Sequence, residues 1–218
     1  MKYYECFIKT GLRDPDIISN YALLCQESGE KEKALGLYKK CVDLYPRHSY
    51  SLTNLAQLYL EIGEAELAKY YSEKAIISNP NLANAYSCLG LALKELGNLI
   101  EAEVSTKKAL ELENDLVDAK LNLGLILNDQ EKHGEAEKIM RELINIDPEN
   151  ADAQLNLGVI LQDKGELENA QNATYRALRI KEDLRDGNMN LASILYEAGD
   201  LKQALYYVKK EINIYPDN

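Results

Sequence analysis

The chain has 218 residues and a formal net charge of −11, from 36 acidic against 25 basic side chains, and 46% of its residues are apolar. That balance excludes the clustered basic face of a nucleic-acid binder and favours a neutral or cationic partner, while the apolar share is ample for a core. No apolar run approaches the roughly 18 residues of a membrane span, and no apolar signal-peptide core follows Met1, so a cytoplasmic protein without membrane contact is expected.

The first segment, residues 1–14, holds "KYYECFIK", which is echoed by "KYYSEKAI" at 69–76 and "ALYYVKKE" at 204–211. From Pro15 onward the chain repeats itself every 34 residues. "DAKLNLGLILNDQEKHGEA" from Asp118 returns as "DAQLNLGVILQDKGELENA" from Asp152. A column of small residues runs through Ala22, Ala56, Gly90, Gly124, Gly158 and Ala192, and an alanine column through Ala34, Ala68, Ala102, Ala136, Ala170 and Ala204. Proline closes four of the six units, at Pro46, Pro80, Pro148 and Pro216. A period of this length predicts a stacked-repeat architecture.

Each unit divides into two helical stretches. In the third, Tyr86, Leu89, Leu93 and Leu96 form one helical stripe, Gly97 supplies a residue tolerant of positive φ, and a second stretch begins at Leu99. The small columns let the two helices of a pair approach closely. In the fourth unit Glu131 replaces the turn glycine and Gly134 follows three residues later, which predicts a longer first helix or a displaced turn.

These columns resemble the tetratricopeptide repeat family. The resemblance implies an all-α, right-handed superhelical solenoid of antiparallel helix pairs, with six repeats at 15–48, 49–82, 83–116, 117–150, 151–184 and 185–218. Residues 1–14 then correspond to the second helix of an incomplete preceding repeat. Solenoids carry polar caps at their ends, and neither end of this sequence shows one, so an array cut from a longer protein is expected. One form of that expectation is the substrate-recruiting arm of a glycosyl-, sulfo- or methyltransferase. Another is a self-associating scaffold, with Tyr3, Tyr4 and Phe7 stacking weakly head to tail on Tyr207, Val208 and Ile212.

Catalytic chemistry is not expected. His48 and His133 are assigned to connections, without neighbours that would make a metal site or a nucleophile–base pair. Cys6, Cys25, Cys41 and Cys88 show no paired or ligand-like spacing and read as reduced thiols. No glycine-rich phosphate loop is present, and no cofactor or metal is implied.

The expected function is that of a protein–protein interaction scaffold with a protein or peptide ligand. Position six of the first helix is Asn20, Asn54, Cys88, Asn122, Asn156 and Asn190. Asparagine is a poor mid-helix residue, but its amide can meet both the C=O and the N–H of an extended peptide. This series is similar to the asparagine ladder in the tetratricopeptide arm of O-linked N-acetylglucosamine transferase, with a break at Cys88. Asp118, Asp152 and Asp186 at position two would attract positive charge. Repeats three to five would offer an apolar floor, and Leu121, Leu155 and Met189 at position five, with Leu125 and Val159 at position nine, would take the side chains of a mildly basic extended segment laid along repeats three to six. Position thirteen is acidic throughout, at Glu27, Glu61, Glu95, Asp129, Asp163 and Glu197, which suggests either an acidic groove edge or closeness to the next helix.

Overall fold

The computed structural model describes residues 14–214, and every regular element among them is a helix. The first helices of successive pairs are α1 (Pro15–Glu27), α3 (Ser49–Glu61), α5 (Ala83–Glu95), α7 (Val117–Asp129), α9 (Ala151–Asp163) and α11 (Gly187–Glu197). Their partners are α2 (Lys31–Leu44), α4 (Ala65–Ser78), α6 (Leu99–Leu112), α8 (His133–Ile146), α10 (Leu167–Ile180) and α12 (Leu201–Ile214). The segment 1–13, with Tyr3, Tyr4, Cys6 and Phe7, lies outside the described residues.

Local chemistry sets the helix starts. Asp14 Oδ1 accepts from the N–H groups of Asp16 at 2.9 Å and Ile17 at 3.3 Å, and Pro15 fills the first helical position. Asn150 Oδ1 caps α9 in the same way, accepting from Ala153 N–H at 2.8 Å.

The chain forms two compact units that divide between Ala119 and Lys120. In the first, Tyr21, Tyr38, Leu52, Leu55, Leu58 and Tyr59 share one buried cluster. In the second, Leu155, Leu178, Leu184, Leu191 and Leu195 share another. Within a pair the helices touch at the small column. A Cβ added to Gly90 would collide with Thr106 Oγ1, and one added to Gly158 with Thr174 Oγ1. The small columns thus mark close backbone approach, where no side-chain ridge holds the helices apart.

Two features depart from expectation. The turn of the fourth pair is neither displaced nor preceded by a longer helix: α7 ends at Asp129, in the same register as its counterparts. Glu131 itself takes the left-handed conformation, φ 61°, where the other pairs use glycine, such as Gly97 at φ 78°. A side chain there costs about 1 kcal/mol relative to glycine. Glu131→Gly is therefore expected to stabilise the chain by about 1 kcal/mol, visible as a higher urea midpoint with an unchanged slope. A lower midpoint would show that Glu131 makes a compensating contact.

The second departure is at the sixth pair, where α11 begins at Gly187, two residues later than the period predicts. Asp186 sits before it with φ 61°. A contact from α12 meets this altered start. Glu211 occupies a column otherwise held by Cys41, Ala75, Ala109, Leu143 and Ala177. Its buried carboxylate accepts from Asp186 N–H and from Asn188 Nδ2, both at 3.0 Å.

Candidate peptide-binding face

Position six lies on a face that is partly open. Asn20 is exposed, and Asn54, Asn122, Asn156 and Asn190 are half-buried. Asn54 Nδ2 donates to Ser19 Oγ of the preceding first helix at 3.3 Å. Asn156 and Asn190 make no side-chain hydrogen bond among the described residues. An amide with four hydrogen-bonding sites and poor helix propensity is held there at a cost that no protein partner among the described residues offsets. At the break in the series Cys88 is buried, with Sγ 3.3 Å from Gln57 Oε1, and burial pushes its thiol up to about 12, helped by the nearby Asp118 carboxylate.

Position two divides. Asp118 and Asp152 are exposed in the first turns of α7 and α9. Asp186 is exposed too, but it precedes α11 in a left-handed conformation and does not belong to the same helical register.

Position five is not a groove floor. Ser19, Thr53 and Leu155 are all less than a tenth exposed, and Leu155 packs in one cluster with Leu191 and Leu195 of the following first helix. Leu121 is half-buried, and Met189, with no pair described beyond it, is 44% exposed. The position belongs to the packing between repeats. Position nine stays on the open face: Leu125 and Val159 are half-buried, Gln57 and Ser193 exposed.

The acids at position thirteen also have a structural use. Gln26 Nε2 donates to Glu61 Oε1 at 2.6 Å, Asn128 Nδ2 to Asp163 Oδ2, and Gln162 Nε2 to Glu197 Oε1 at 2.5 Å. In each case an amide at position twelve reaches the acid of the next first helix. A carboxylate at a helix C-terminus, unfavourable to the dipole, is thereby compensated by a charge-assisted hydrogen bond. These carboxylates face a neighbouring amide, and Lys31 adds an ion pair to Glu61 at 3.2 Å.

Both histidines have partners that sequence reasoning missed. His133 is the first residue of α8, with Nδ1 2.7 Å from Asn128 Oδ1. His48 Nδ1 lies 2.6 Å from Ser51 Oγ, and its Nε2 lies 3.1 Å from Asp16 Oδ1. Acid, imidazole and hydroxyl in series have the order of a hydrolase triad. Ser51 is completely buried, however, so a substrate carbonyl has no route to its hydroxyl. The series continues inward to Cys41 Sγ, 3.1 Å from Ser51 Oγ, and serves to join α1, α2 and α3. Among the described residues no cluster of three His, Cys, Asp or Glu side chains could hold a metal ion, and no helix is long and apolar enough to cross a membrane.

Cys25, Cys41 and Cys88 are all buried. Burial raises the thiols of Cys41 and Cys88, so neither forms thiolate readily. All three are expected to resist an aromatic disulfide reagent at pH 8 in the native chain and to titrate fully in denaturant. Rapid modification of more than one thiol per native chain would contradict the packing.

Stacked helix pairs with an open face of first helices define an α-helical repeat scaffold of the kind that mediates protein–protein interactions. Profiles of the tetratricopeptide repeat match residues 37–70, 83–116 and 121–185, together more than half of the chain, and the chain belongs to that family. No match was found among curated proteins. Among solved structures the chain is similar to a tetratricopeptide repeat protein from Parabacteroides merdae ATCC 43184, with 20% identity and a TM-score of 0.80, covering 98% of this chain and 91% of that one. It is similar also to TTC0263, a thermophilic repeat protein of Thermus thermophilus, with 18% identity and a TM-score of 0.75, covering 84% of this chain and all of the other. A third is YrrB, described as a repeat protein with an unusual peptide-binding site, with 22% identity and a TM-score of 0.52, covering 83% of this chain and 93% of that one. At these identities the likeness is one of fold.

Proposed function

We infer that the second unit receives an extended peptide along α7, α9 and α11. The observation that carries this reading is the pair of half-buried, mid-helix amides of Asn156 and Asn190, which have no hydrogen-bond partner among the described residues. Together with Asn122 they stand at one-repeat intervals; packed helices lie about 8–10 Å apart and a strand rises about 3.3 Å per residue, so the amides meet about every third peptide group of an extended segment and read its backbone alone. Leu125 and Val159 take apolar side chains. Asp152, exposed and without an ion pair, attracts a basic one, and Asp118, one turn before Asn122 on the same helix, does so beside that amide. Leu155, packed in one cluster with Leu191 and Leu195, and Asp186, at the start of α11, stay outside the proposed site.

The test is a display selection of random peptides on the full chain, followed by calorimetry on the Asn122→Ala, Asn156→Ala, Asn190→Ala triple variant. Each lost amide contact is worth about 1 kcal/mol, so binding is expected to weaken roughly a hundredfold with the helical circular dichroism retained. Unchanged affinity in a folded triple variant would remove the amides from the site. The same peptides should bind more weakly as salt rises if Asp118 and Asp152 contribute.

A further inference from the structure

The interval between the first helices of the second unit selects among ligand backbones. Resting on the peptide reading above, we propose that the segment held there is a polyproline-II helix, with one apolar residue and one free N–H in each three-residue turn.

Two kinds of side chain recur at that interval. The amides are those of Asn156 on α9 and Asn190 on α11, and the apolar side chains are Leu125 on α7 and Val159 on α9, all half-buried on the open face. Direct bonds between first helices hold the spacing. Asn128 of α7 donates to Asp163 of α9, and Gln162 of α9 donates to Ser193 Oγ at 2.9 Å and Glu197 Oε1 at 2.5 Å on α11. Cα atoms of α9 and α11 approach within 8 Å, as expected of helix axes about 8–10 Å apart. Position five explains why these two amides make no side-chain hydrogen bond among the described residues. The preceding first helix offers them Leu121 and Leu155, where it offers Asn54 the hydroxyl of Ser19 at 3.3 Å.

Three regular backbones can be laid across this spacing. An α-helix uses its N–H and C=O groups internally, so it leaves none for the amides. A β-strand rises about 3.3 Å per residue and points successive side chains to opposite faces. Two residues fall short at about 6.7 Å, four overshoot at about 13 Å, and three turn the opposite face to the second helix. A polyproline-II helix rises about 3.1 Å per residue, with three residues per turn and no internal hydrogen bonds. Its pitch of about 9.3 Å matches the interval, so every third residue returns to the same face with its peptide groups free. Each turn thus sets one peptide group against an asparagine and one side chain against Leu125 or Val159. Proline suits the two positions between, because it presets φ near about −65° and requires no acceptor for an N–H. The N–H that remains in each turn meets Oδ1 of Asn156 or Asn190, while Nδ2 donates to a ligand carbonyl. On α11 position nine is Ser193, exposed and bonded to Gln162, so the apolar contacts end at α9.

The test uses the full chain and labelled synthetic peptides of about four polyproline turns, each ending in lysine. One repeats Leu-Pro-Pro, a second has the same composition with its leucines adjacent, and a third alternates leucine with threonine at the period of a strand. A peptide out of register engages one amide in place of two, so fluorescence anisotropy is expected to show the Leu-Pro-Pro repeat binding about tenfold more tightly than either other peptide. The Asn156→Ala, Asn190→Ala variant, folded by circular dichroism, should abolish that preference. Equal binding of the first two peptides, or binding of neither, would overturn the proposal. If the alternating peptide binds best and loses its affinity in the double variant, the peptide reading stands and the polyproline conformation falls. A Leu-Pro-Pro preference that persists in the double variant would remove the amides from the site and overturn both.

Discussion

Glu211→Ala is expected to open the α11–α12 pair while leaving residues 120–180 protected in hydrogen exchange. The carboxylate is 3% exposed and serves two donors, the backbone N–H of Asp186 and the side-chain amide of Asn188, itself fully buried. Removing it leaves both donors orphaned beside Asn188 Oδ1, which already lacks a partner. Bonds to a charged acceptor contribute about 1.5–3 kcal/mol each, and orphaned buried groups cost about 1–3 kcal/mol. A loss of about 3 kcal/mol is the expected result. Glu211→Gln should lose less, because it keeps one acceptor and gains a donor that can meet Asn188 Oδ1. Exchange in α11 and α12 unchanged from the parent would show that the late start of α11 does not depend on this carboxylate.

Gly158→Leu should damage the second unit at least as severely. The helix pair α9–α10 leaves no space for a Cβ at Gly158: the added atom meets Thr174 Oγ1, which is itself bonded to Ala170 O at 3.0 Å. Overpacking of this kind costs about 1–3 kcal/mol, more when backbone must move, and leucine requires backbone movement. A urea transition shifted by about 3 kcal/mol or an unfolded second unit is expected. Gly158→Ala should cost less, and adding Thr174→Ala should restore part of the loss. Natural precedent within the chain supports that rescue, since Ala56 and Ser72 occupy the same two columns in the second pair. An alanine variant as stable as the parent would mean that Thr174 turns away freely.

The repeat architecture was legible because it rests on columns that every pair must satisfy. A residue too large at Gly90 or Gly158 separates the helices, so the 34-residue period carries the steric constraint openly in the sequence. The candidate site was less legible. Position five and position nine are both apolar in the fourth and fifth repeats, and composition alone does not tell a residue facing solvent from one facing the next helix. Leu155 is closed off by Leu191 and Leu195, contacts between residues 36 and 40 positions apart. The acids at position thirteen were equally ambiguous until Gln26, Asn128 and Gln162 were seen to reach them from the preceding pair. Nor did local pattern indicate that Glu131 would accept a glycine's conformation. That turn keeps the backbone hydrogen bonds of the glycine turns, Glu131 N–H to Asn128 O and Lys132 N–H to Leu127 O, as Gly97 N–H bonds Lys94 O and Asn98 N–H bonds Leu93 O. His48 is a further case, because its partners Asp16 and Ser51 lie on different helices and meet only in the folded chain.

The amide–carboxylate bonds between neighbouring pairs each join residues 35 positions apart, and so does the bond from Asn54 to Ser19. A growing chain therefore never has to wait for a distant segment to find these partners. Closing a loop of one repeat carries a modest entropic cost, and a topology dominated by such short closures folds rapidly. During synthesis each pair can settle onto its predecessor once a single further repeat has emerged, so that assembly proceeds in the order of translation and little apolar surface stays uncovered for long.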